Sequence, residues 1–300
     1  MKWFELVRQK YGCETTMLHV PYQGEGKINR NMRDYVVKQL KESVIPTLER
    51  VSGVKFDIDR LREYMRESKK AEENLVAVLQ SAKNRPSPID GYFGAVYYIG
   101  PIFTAFRGTP DATRFYETLR AEIEQRVREG KGPLNADGAT YEEKYRLVVE
   151  GPPNWTNFRD FWKMFYEDGA VVVASTYSKV GGVYDFGFRH DADRPLESLA
   201  EYCLGCYTNL NLPSRVDMIC RYMEEYQADG LLINSIKSCN SFSAGQLLIL
   251  REVEKRTGKP AAFIETDLVD PRYFSAANVK NRLESYFQMI QQKRAAATVH

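Results

Sequence analysis

Four short apolar segments alternate with longer amphipathic segments in the second half of the chain, and this alternation is the strongest constraint on its fold. The apolar segments lie at residues 146–150, 170–176, 231–236 and 260–265, and patterns with helical periodicity follow them. Strands and helices in this order are typical of βαβ units, whose strands form a parallel sheet buried on both faces. The sequence therefore predicts an α/β fold with a C-terminal, four-stranded, parallel and doubly wound sheet, Rossmann-like or flavodoxin-like.

The region before this alternation is predicted to be helical. Residues 31–51, 57–82 and 110–129 carry apolar side chains at helical spacing, and a polar turn at residues 131–140 contains glycine and proline. Residues 3–11 and 15–20 predict a helix and a buried strand, which cannot bury their apolar faces by themselves. We interpret them as the tail of a first α/β domain whose beginning is absent or is supplied by another chain. The predicted units are that tail at residues 1–28, a helical region at 29–140 and an α/β domain at 141–300.

The composition excludes several classes of protein. The chain has 300 residues, and its 42 basic and 40 acidic side chains leave a formal net charge of +2, which argues against a nucleic-acid-binding surface. No run of about 20 apolar residues predicts a membrane span, and the N-terminus lacks the pattern of a signal peptide. An odd number of cysteines, five, does not predict a disulfide framework. We expect a cytoplasmic protein without a membrane partner.

The candidate site lies where the strands end. Ligands of open parallel sheets bind beyond the carboxyl ends of the strands, so the segments after the four strands are expected at one rim. Acids and a lysine in these segments are candidate proton donors or acceptors: Glu150, Lys179 and Glu265. Candidate substrate-binding residues are Trp155, Asn234, Ser238 and Arg215, the last for an anionic group. For the charged residues the alternatives are solvated surface charge and helix capping.

Three cysteines are candidate metal ligands or reactive thiols. Cys239 lies between the third strand and a helix predicted at residues 242–257, where a thiolate is favoured; a buried small residue in a tight turn is the alternative. Cys203 and Cys206 have C-x-x-C spacing, which suits an iron–sulfur or zinc site or a redox dithiol. Cys203 also falls on the apolar face of its predicted helix, so a core role stays open. The chain contains neither a P-loop nor a complete G-x-G-x-x-G fingerprint.

Several segments resemble the benzoyl-CoA reductase and 2-hydroxyacyl-CoA dehydratase family. They are EGPPNW at residues 150–155, DGLLINSIKSCN at 229–240, ETDLVDPR at 265–272 and NRLESYF at 281–287. The segments YYIGPIFTAFR at 97–107 and YCLGCYTNLNLPSR at 202–215 are more similar to the ATP-dependent, class I reductase branch of that family. The resemblance covers essentially the whole chain.

The resemblance implies a two-part enzyme of anaerobic aromatic degradation. An ATP-hydrolysing iron–sulfur activator, itself reduced by ferredoxin, passes low-potential electrons to a heterodimeric component, the whole being a heterotetramer. In the reductase branch, this component adds two electrons and two protons to the ring of benzoyl-CoA and forms a cyclohexadiene carbonyl-CoA. Each active subunit holds a [4Fe–4S] cluster through three cysteines. Cys239 matches the third of these, and the first two have no counterpart here, so the resemblance implies an incomplete ligand set.

Two other functions stay open. The chain could be a subunit of a 2-hydroxyacyl-CoA dehydratase, which uses an electron only to start the reaction. It could instead be a non-catalytic subunit that relays electrons or supports the complex. In each case the expected partners are a homologous subunit and the ATP-hydrolysing activator.

Overall fold

The computed structural model describes residues 2–103, 106–177 and 189–298. The first half of the chain is helical, as predicted. Its helices are α1 (Lys2–Tyr11), α2 (Arg30–Gln39), α3 (Ile45–Ser52), α4 (Ile58–Gln80), α5 (Phe93–Phe103) and α6 (Pro110–Arg128).

The second half alternates strands and helices. Its elements are β1 (Tyr145–Glu150), α7 (Phe158–Tyr166), β2 (Ala170–Ser175), α8 (Pro195–Leu204), α9 (Leu212–Glu225), β3 (Gly230–Ile236), α10 (Asn240–Ser243), α11 (Gln246–Thr257), β4 (Ala261–Thr266) and α12 (Ala276–Thr298).

The four strands form one parallel sheet in the order β2-β1-β3-β4. Side chains alternate across it: Val148 and Ile233 lie in a core with helices α4, α6, α9 and α11, whereas Val149 and Leu232 lie in a core with α7 and α12. Both faces of the sheet are therefore covered, which confirms the α/β class and the doubly wound parallel sheet.

The strand order places a crevice between β1 and β3. The connection from β1 runs through α7 to β2 on one side, and the connection from β3 runs through α11 to β4 on the other. Adjacent strands whose connections diverge leave a crevice at their carboxyl ends, and this is where ligands bind in open α/β sheets. The carboxyl ends of β1 and β3 carry Glu150 and Ile236, respectively.

The outer edge of β2 is covered by a buried aspartate. The Asp90 side chain accepts hydrogen bonds from the Val172 amide at 3.0 Å and from the Tyr92 and Phe93 amides at 2.9 and 2.6 Å. Burial raises the pKa of Asp90 to about 6, although these hydrogen bonds oppose the shift. One carboxyl thus joins the start of α5 to the outer edge of β2 at Val172.

The predicted helix at residues 31–51 contains a π-helical turn. Helices α2 and α3 are continuous through Leu40–Val44, which has π geometry, and Pro46 follows at the start of α3. Proline lacks an amide hydrogen and clashes with the carbonyl of the preceding turn, so an irregular turn next to it relieves a conflict that an unbroken α-helix would contain.

Two sequence predictions are wrong. Residues 15–20 do not form a strand: they lie extended along α2, where the Gln39 side chain bonds the His19 main chain through its amide nitrogen and carbonyl oxygen. The apolar alternation reflects partial packing of Leu18 and Val20, not sheet pairing. The helix predicted at residues 242–257 is split into α10 and α11 at Gly245, whose φ of +81° lies in the left-handed region.

Candidate functional site

The Glu150 carboxyl lies at the crevice between β1 and β3 and is fully buried. Its Oε1 accepts a hydrogen bond from the Tyr207 hydroxyl at 3.0 Å, and its Oε2 accepts one from Nε2 of Gln246. Burial raises the pKa of Glu150 from 4.5 to about 7, while these two hydrogen bonds and the charge of Arg215 oppose the shift. A carboxyl with such a pKa can give up or take a proton near neutral pH.

The loop after β1 is tied to β3 and β4. At Gly151 the backbone φ is +106°, and the Asn234 amide of β3 donates to the Pro152 carbonyl at 2.7 Å. The Thr266 hydroxyl donates to Asn234 Oδ1 at 2.9 Å. Asn234 is therefore fully buried and joins three segments of the rim, while its predicted substrate contact stays a prediction.

Trp155, a predicted binding residue in the loop after β1, has a side chain that is partly exposed to solvent. Its side chain is 39% exposed and stacks on Phe158 with ring centroids 5.5 Å apart. The Tyr177 ring meets it edge-on at 6.1 Å. An exposed ring supported by two aromatic side chains offers a rigid flat surface for an apolar group.

Cys239 lies in the turn after β3. Its amide donates to the Ile236 carbonyl at 3.1 Å and its carbonyl accepts from the Ser243 amide at 2.9 Å, which fixes the turn. The thiol is free and half-buried. The neighbouring Ser238 is exposed, and its amide donates to Asp267 Oδ2 at 3.0 Å. Cys239 and Ser238 therefore belong to the same rim as the Glu150 carboxyl.

Arg215 is buried and directed at the protein backbone. Its Nε, Nη1 and Nη2 donate to the carbonyls of Leu210, Ser241 and Thr208 at 3.1, 3.2 and 2.7 Å, and its guanidinium lies 5.0 Å from the Tyr207 ring centroid. These contacts explain why the charge is retained in the core. The predicted role of Arg215 in binding an anion stays a prediction.

Of the remaining predicted residues, the structure describes Glu265, Cys203 and Cys206. Glu265 is exposed and lies 3.8 Å from the Lys237 amine, so it is a solvated acid, unlike Glu150. Cys203 and Cys206 are half-buried and are not in a disulfide, and burial, together with the nearby Cys206, raises the pKa of the Cys203 thiol. Lys179 lies outside the described residues.

The described residues do not fit a complete metal or cluster site. Among them, no group of three or more His, Cys, Asp or Glu side chains is placed to hold a metal ion. A cubane cluster held by cysteines needs several thiolates in one place, and the rim offers Cys239 as a single one.

Sequence reasoning missed two residues of the site, Tyr207 and Gln246. Tyr207 follows the C-x-x-C pair directly, and Gln246 begins α11 behind the left-handed Gly245. Because Gln246 is a polar residue near the start of the helix predicted after β3, the sequence could have placed it at the rim. The Tyr207 contact depends on how the segment after α8 returns to the sheet, which no local pattern shows.

The family profile described as "2-hydroxyglutaryl-CoA dehydratase, D-component" matches residues 1–290. The chain is also 75% identical over 299 residues to a benzoyl-CoA reductase subunit of Thauera aromatica, covering all of this chain and 69% of that protein. This chain belongs to the benzoyl-CoA reductase and 2-hydroxyacyl-CoA dehydratase family. The expected family is therefore confirmed.

More distant members of the benzoyl-CoA reductase and 2-hydroxyacyl-CoA dehydratase family match at lower identity. "(R)-2-hydroxyglutaryl-CoA dehydratase, subunit alpha" of Acidaminococcus fermentans is 24% identical over 97% of this chain and 57% of its own length. "(R)-2-hydroxyisocaproyl-CoA dehydratase alpha subunit" of Clostridioides difficile is 26% identical over 98% of this chain and 69% of its own length. The chain thus spans between about half and two thirds of these relatives, and their names describe them as subunits.

Within residues 2–103, 106–177 and 189–298, no helix is both long enough and apolar enough to cross a lipid bilayer.

Proposed function

We propose that the chain is a subunit of a benzoyl-CoA reductase. The reaction adds two electrons and two protons to the aromatic ring of benzoyl-CoA and yields a cyclohexadiene carbonyl-CoA. The observation that carries this proposal is the 75% identity to the Thauera aromatica benzoyl-CoA reductase subunit over the whole chain, against 24–26% for the dehydratase subunits.

Glu150 is the proposed proton donor. Each protonation breaks an O–H bond of an acid and forms a C–H bond at a ring carbon that carries the added electrons. A buried carboxyl with a pKa of about 7, at the crevice where this fold binds ligands, suits that step. Lys179 and Glu265 are the other candidates, and the exposure of Glu265 makes it the weaker candidate for a water-excluded step.

The substrate would lie across the same rim. We propose that Trp155 contacts the flat ring and that Asn234, Ser238 and Arg215 contribute to the walls that hold the thioester. The exposed, stacked indole of Trp155 supports the first of these assignments. Asn234 and Arg215 contribute through the backbone segments that they hold in place.

The proposed cofactor is a [4Fe–4S] cluster with Cys239 as one ligand, and Cys203 and Cys206 are the further candidates in this chain. The cluster would supply the electrons. The proposed partners are a homologous subunit, an ATP-hydrolysing iron–sulfur activator and reduced ferredoxin, in a cytoplasmic heterotetramer. The subunit names of the relatives support the existence of partner subunits.

The alternative is a 2-hydroxyacyl-CoA dehydratase subunit, favoured by the description of the matching family profile. A dehydratase eliminates water and consumes no electrons overall, whereas the proposed reductase consumes two per turnover. Electron consumption therefore separates the two functions.

The test is an anaerobic assay of the chain assembled with its partner subunits. Benzoyl-CoA and an (R)-2-hydroxyacyl-CoA are supplied separately with ATP and a low-potential reductant, and the products are identified by mass spectrometry. We expect benzoyl-CoA to gain two hydrogens with two electrons consumed. Loss of water from the hydroxyacyl thioester, with benzoyl-CoA unchanged, would favour the dehydratase. Turnover of benzoyl-CoA by a complex carrying Glu150→Gln at the wild-type rate would remove Glu150 from the reaction.

A further inference from the structure

The Glu150 carboxyl is held by two side chains from two different parts of the chain. Tyr207 belongs to the short turn of helix Tyr207–Asn209 after α8, and Gln246 is the first residue of α11. Each donates to one carboxylate oxygen, and both are buried, with 1% of their surface exposed. Both oxygens of the deprotonated carboxylate therefore already have a fixed donor.

The Tyr207 hydroxyl is held in place by the packing of its ring. The Arg215 guanidinium lies 5.0 Å from the ring centroid, and the Phe242 ring lies 6.0 Å from it. Arg215 is in turn fixed by three main-chain carbonyls. Burial raises the pKa of Tyr207 well above its usual value, so its hydroxyl stays protonated and remains a donor.

Gln246 is positioned by the glycine before it. A β-carbon at Gly245 would lie 2.5 Å from Cδ2 of Leu212, and the φ of +81° at Gly245 turns the chain into α11. The buried Oε1 of Gln246 has no hydrogen-bond partner among the described residues, although its Nε2 is bonded to Glu150. The amide therefore keeps one free acceptor beside the carboxyl, which a protonated Glu150 or a bound group could use.

Within residues 2–103, 106–177 and 189–298, the other titratable and charged groups that interact with Glu150 are Arg215 and Tyr92. The Arg215 charge favours the carboxylate, and the phenol of Tyr92, from the segment before α5, has its pKa raised well above its usual value by burial, so it is uncharged at neutral pH. Among the residues that the structure describes, the groups around the carboxyl are thus donors or a cation.

We propose that Tyr207 and Gln246 are positioning residues that hold the Glu150 carboxyl in place and stabilise the carboxylate left when its proton is transferred to the substrate. This rests on the proposed function, in which Glu150 is the proton donor. In the step, the Glu150 O–H bond breaks and a C–H bond forms at the ring carbon that carries the added electrons. The negative charge moves from the ring to the carboxylate, where the hydrogen bonds from Tyr207 and Gln246 stabilise it. A proton taken up from the solvent then restores the carboxylic acid.

The experiment compares Tyr207→Phe and Gln246→Leu with a matched control, Tyr116→Phe, in the assembled enzyme. Tyr116 is a buried tyrosine in α6 whose hydroxyl donates to the Tyr98 carbonyl at 2.7 Å, away from the rim. Two quantities are measured: the protonation of Glu150, from its carboxylic acid band in infrared spectra minus those of Glu150→Gln, and the pH profile of benzoyl-CoA reduction.

We expect the Glu150 titration to move upward by about one pH unit in each site variant, because a donor to the carboxylate is lost. The alkaline limb of the activity profile should move in the same direction while the maximal rate falls. Tyr116→Phe should change neither quantity.

An unchanged infrared titration in both site variants would overturn the positioning role. A shifted titration with an unshifted activity profile would overturn the link to proton transfer. If the wild-type enzyme does not reduce benzoyl-CoA, the proposed function fails, and the infrared titration still decides whether the two residues control Glu150.

Discussion

The backbone at Gly151 passes so close to Asn234 that a β-carbon on residue 151 would lie 2.1 Å from the Asn234 carbonyl oxygen. Residue 151 follows the buried Glu150, and Asn234 lies in β3, so this contact sets the spacing of the two strand ends that border the crevice. The φ of +106° at Gly151 adds a second requirement for glycine, because L side chains rarely adopt it.

We predict that Gly151→Ala lowers the free energy of unfolding by about 3 kcal/mol or more, since both the backbone conformation and the close approach are lost. Urea denaturation followed by circular dichroism measures this change. Gly138→Ala is the matched control, because Gly138 also has a positive φ, +78°, but open space around its β-carbon position. It should cost only about 1 kcal/mol. Equal losses in the two variants would contradict the close-approach argument.

The buried Glu150 predicts a pH-dependent stability. Its pKa in the folded chain, about 7, lies above its usual value of 4.5, so its contribution is fully present below pH 4.5 and is lost as the pH rises through 7. At about 1.4 kcal/mol per pKa unit, the loss is about 3 kcal/mol. The free energy of unfolding of the wild type minus that of Glu150→Gln should fall by this amount between pH 4.5 and above 7. Because both proteins contain Asp90, its contribution cancels in this difference. A difference that does not change with pH would show that the pKa of Glu150 is not raised in the folded chain.

Cys239 is predicted to bind iron. In a complex assembled anaerobically with a first domain that supplies the two other expected cysteine ligands, Cys239→Ser should remove one cubane cluster per chain, because a hydroxyl is a much poorer ligand for iron than a thiolate. Iron content and electron paramagnetic resonance measure the loss. Cys220→Ser is the control: Cys220 is a half-buried cysteine in α9, packed against the core. Unchanged iron and an unchanged spectrum in Cys239→Ser would instead favour Cys203 and Cys206.

A buried ion pair links α4 to the segment after α5. Arg107 Nη2 lies 2.6 Å from Oε1 of the fully buried Glu72, and the Nε2 atom of the buried His190 lies 3.3 Å from the same oxygen. We predict that Arg107→Leu destabilises the fold by about 3 kcal/mol, because the Glu72 carboxylate loses its cation in the core.

The control for that variant is Arg120→Leu, since Arg120 pairs with Glu124 at 2.7 Å with both side chains about half exposed. It should change the free energy of unfolding by at most about 1 kcal/mol, because solvent screens the exposed pair. Adding Glu72→Gln to Arg107→Leu should recover part of the loss. Thermal or urea denaturation of the three variants measures these changes in the free energy of unfolding. Similar decreases for Arg107→Leu and Arg120→Leu would show that burial of the ion pair is unimportant for stability.

The sequence predicted the sheet and most helices because their patterns are local. The four strands are short, largely apolar runs, each with at least one valine or isoleucine, and the structure places each within one or two residues of its predicted bounds. Residues 15–20 show the limit of this reasoning. Their composition suits a strand, but a strand also needs a partner, and here the side-chain amide of Gln39 bonds the His19 main chain instead.

The site was predicted in part for the same reason. The rule on strand ends placed Glu150, Asn234, Ser238 and Cys239 on one rim, because it depends only on strand order and direction. It could not distinguish Glu150 from Glu265, which both occur in the last two positions of a strand. Burial separates them: Glu150 belongs to a central strand and Glu265 to the edge strand β4.

The class of fold, the residues at the strand ends and the family could all be inferred from the sequence, since each follows from patterns along the chain. The three-dimensional arrangement decided that Glu150 is the enclosed carboxyl and that Tyr207 and Gln246 hold it. Tyr207 and Gln246 lie 57 and 96 positions from Glu150 in the chain. The pKa of Glu150 depends on burial and on these distant donors, and both arise only when the helices pack on the sheet.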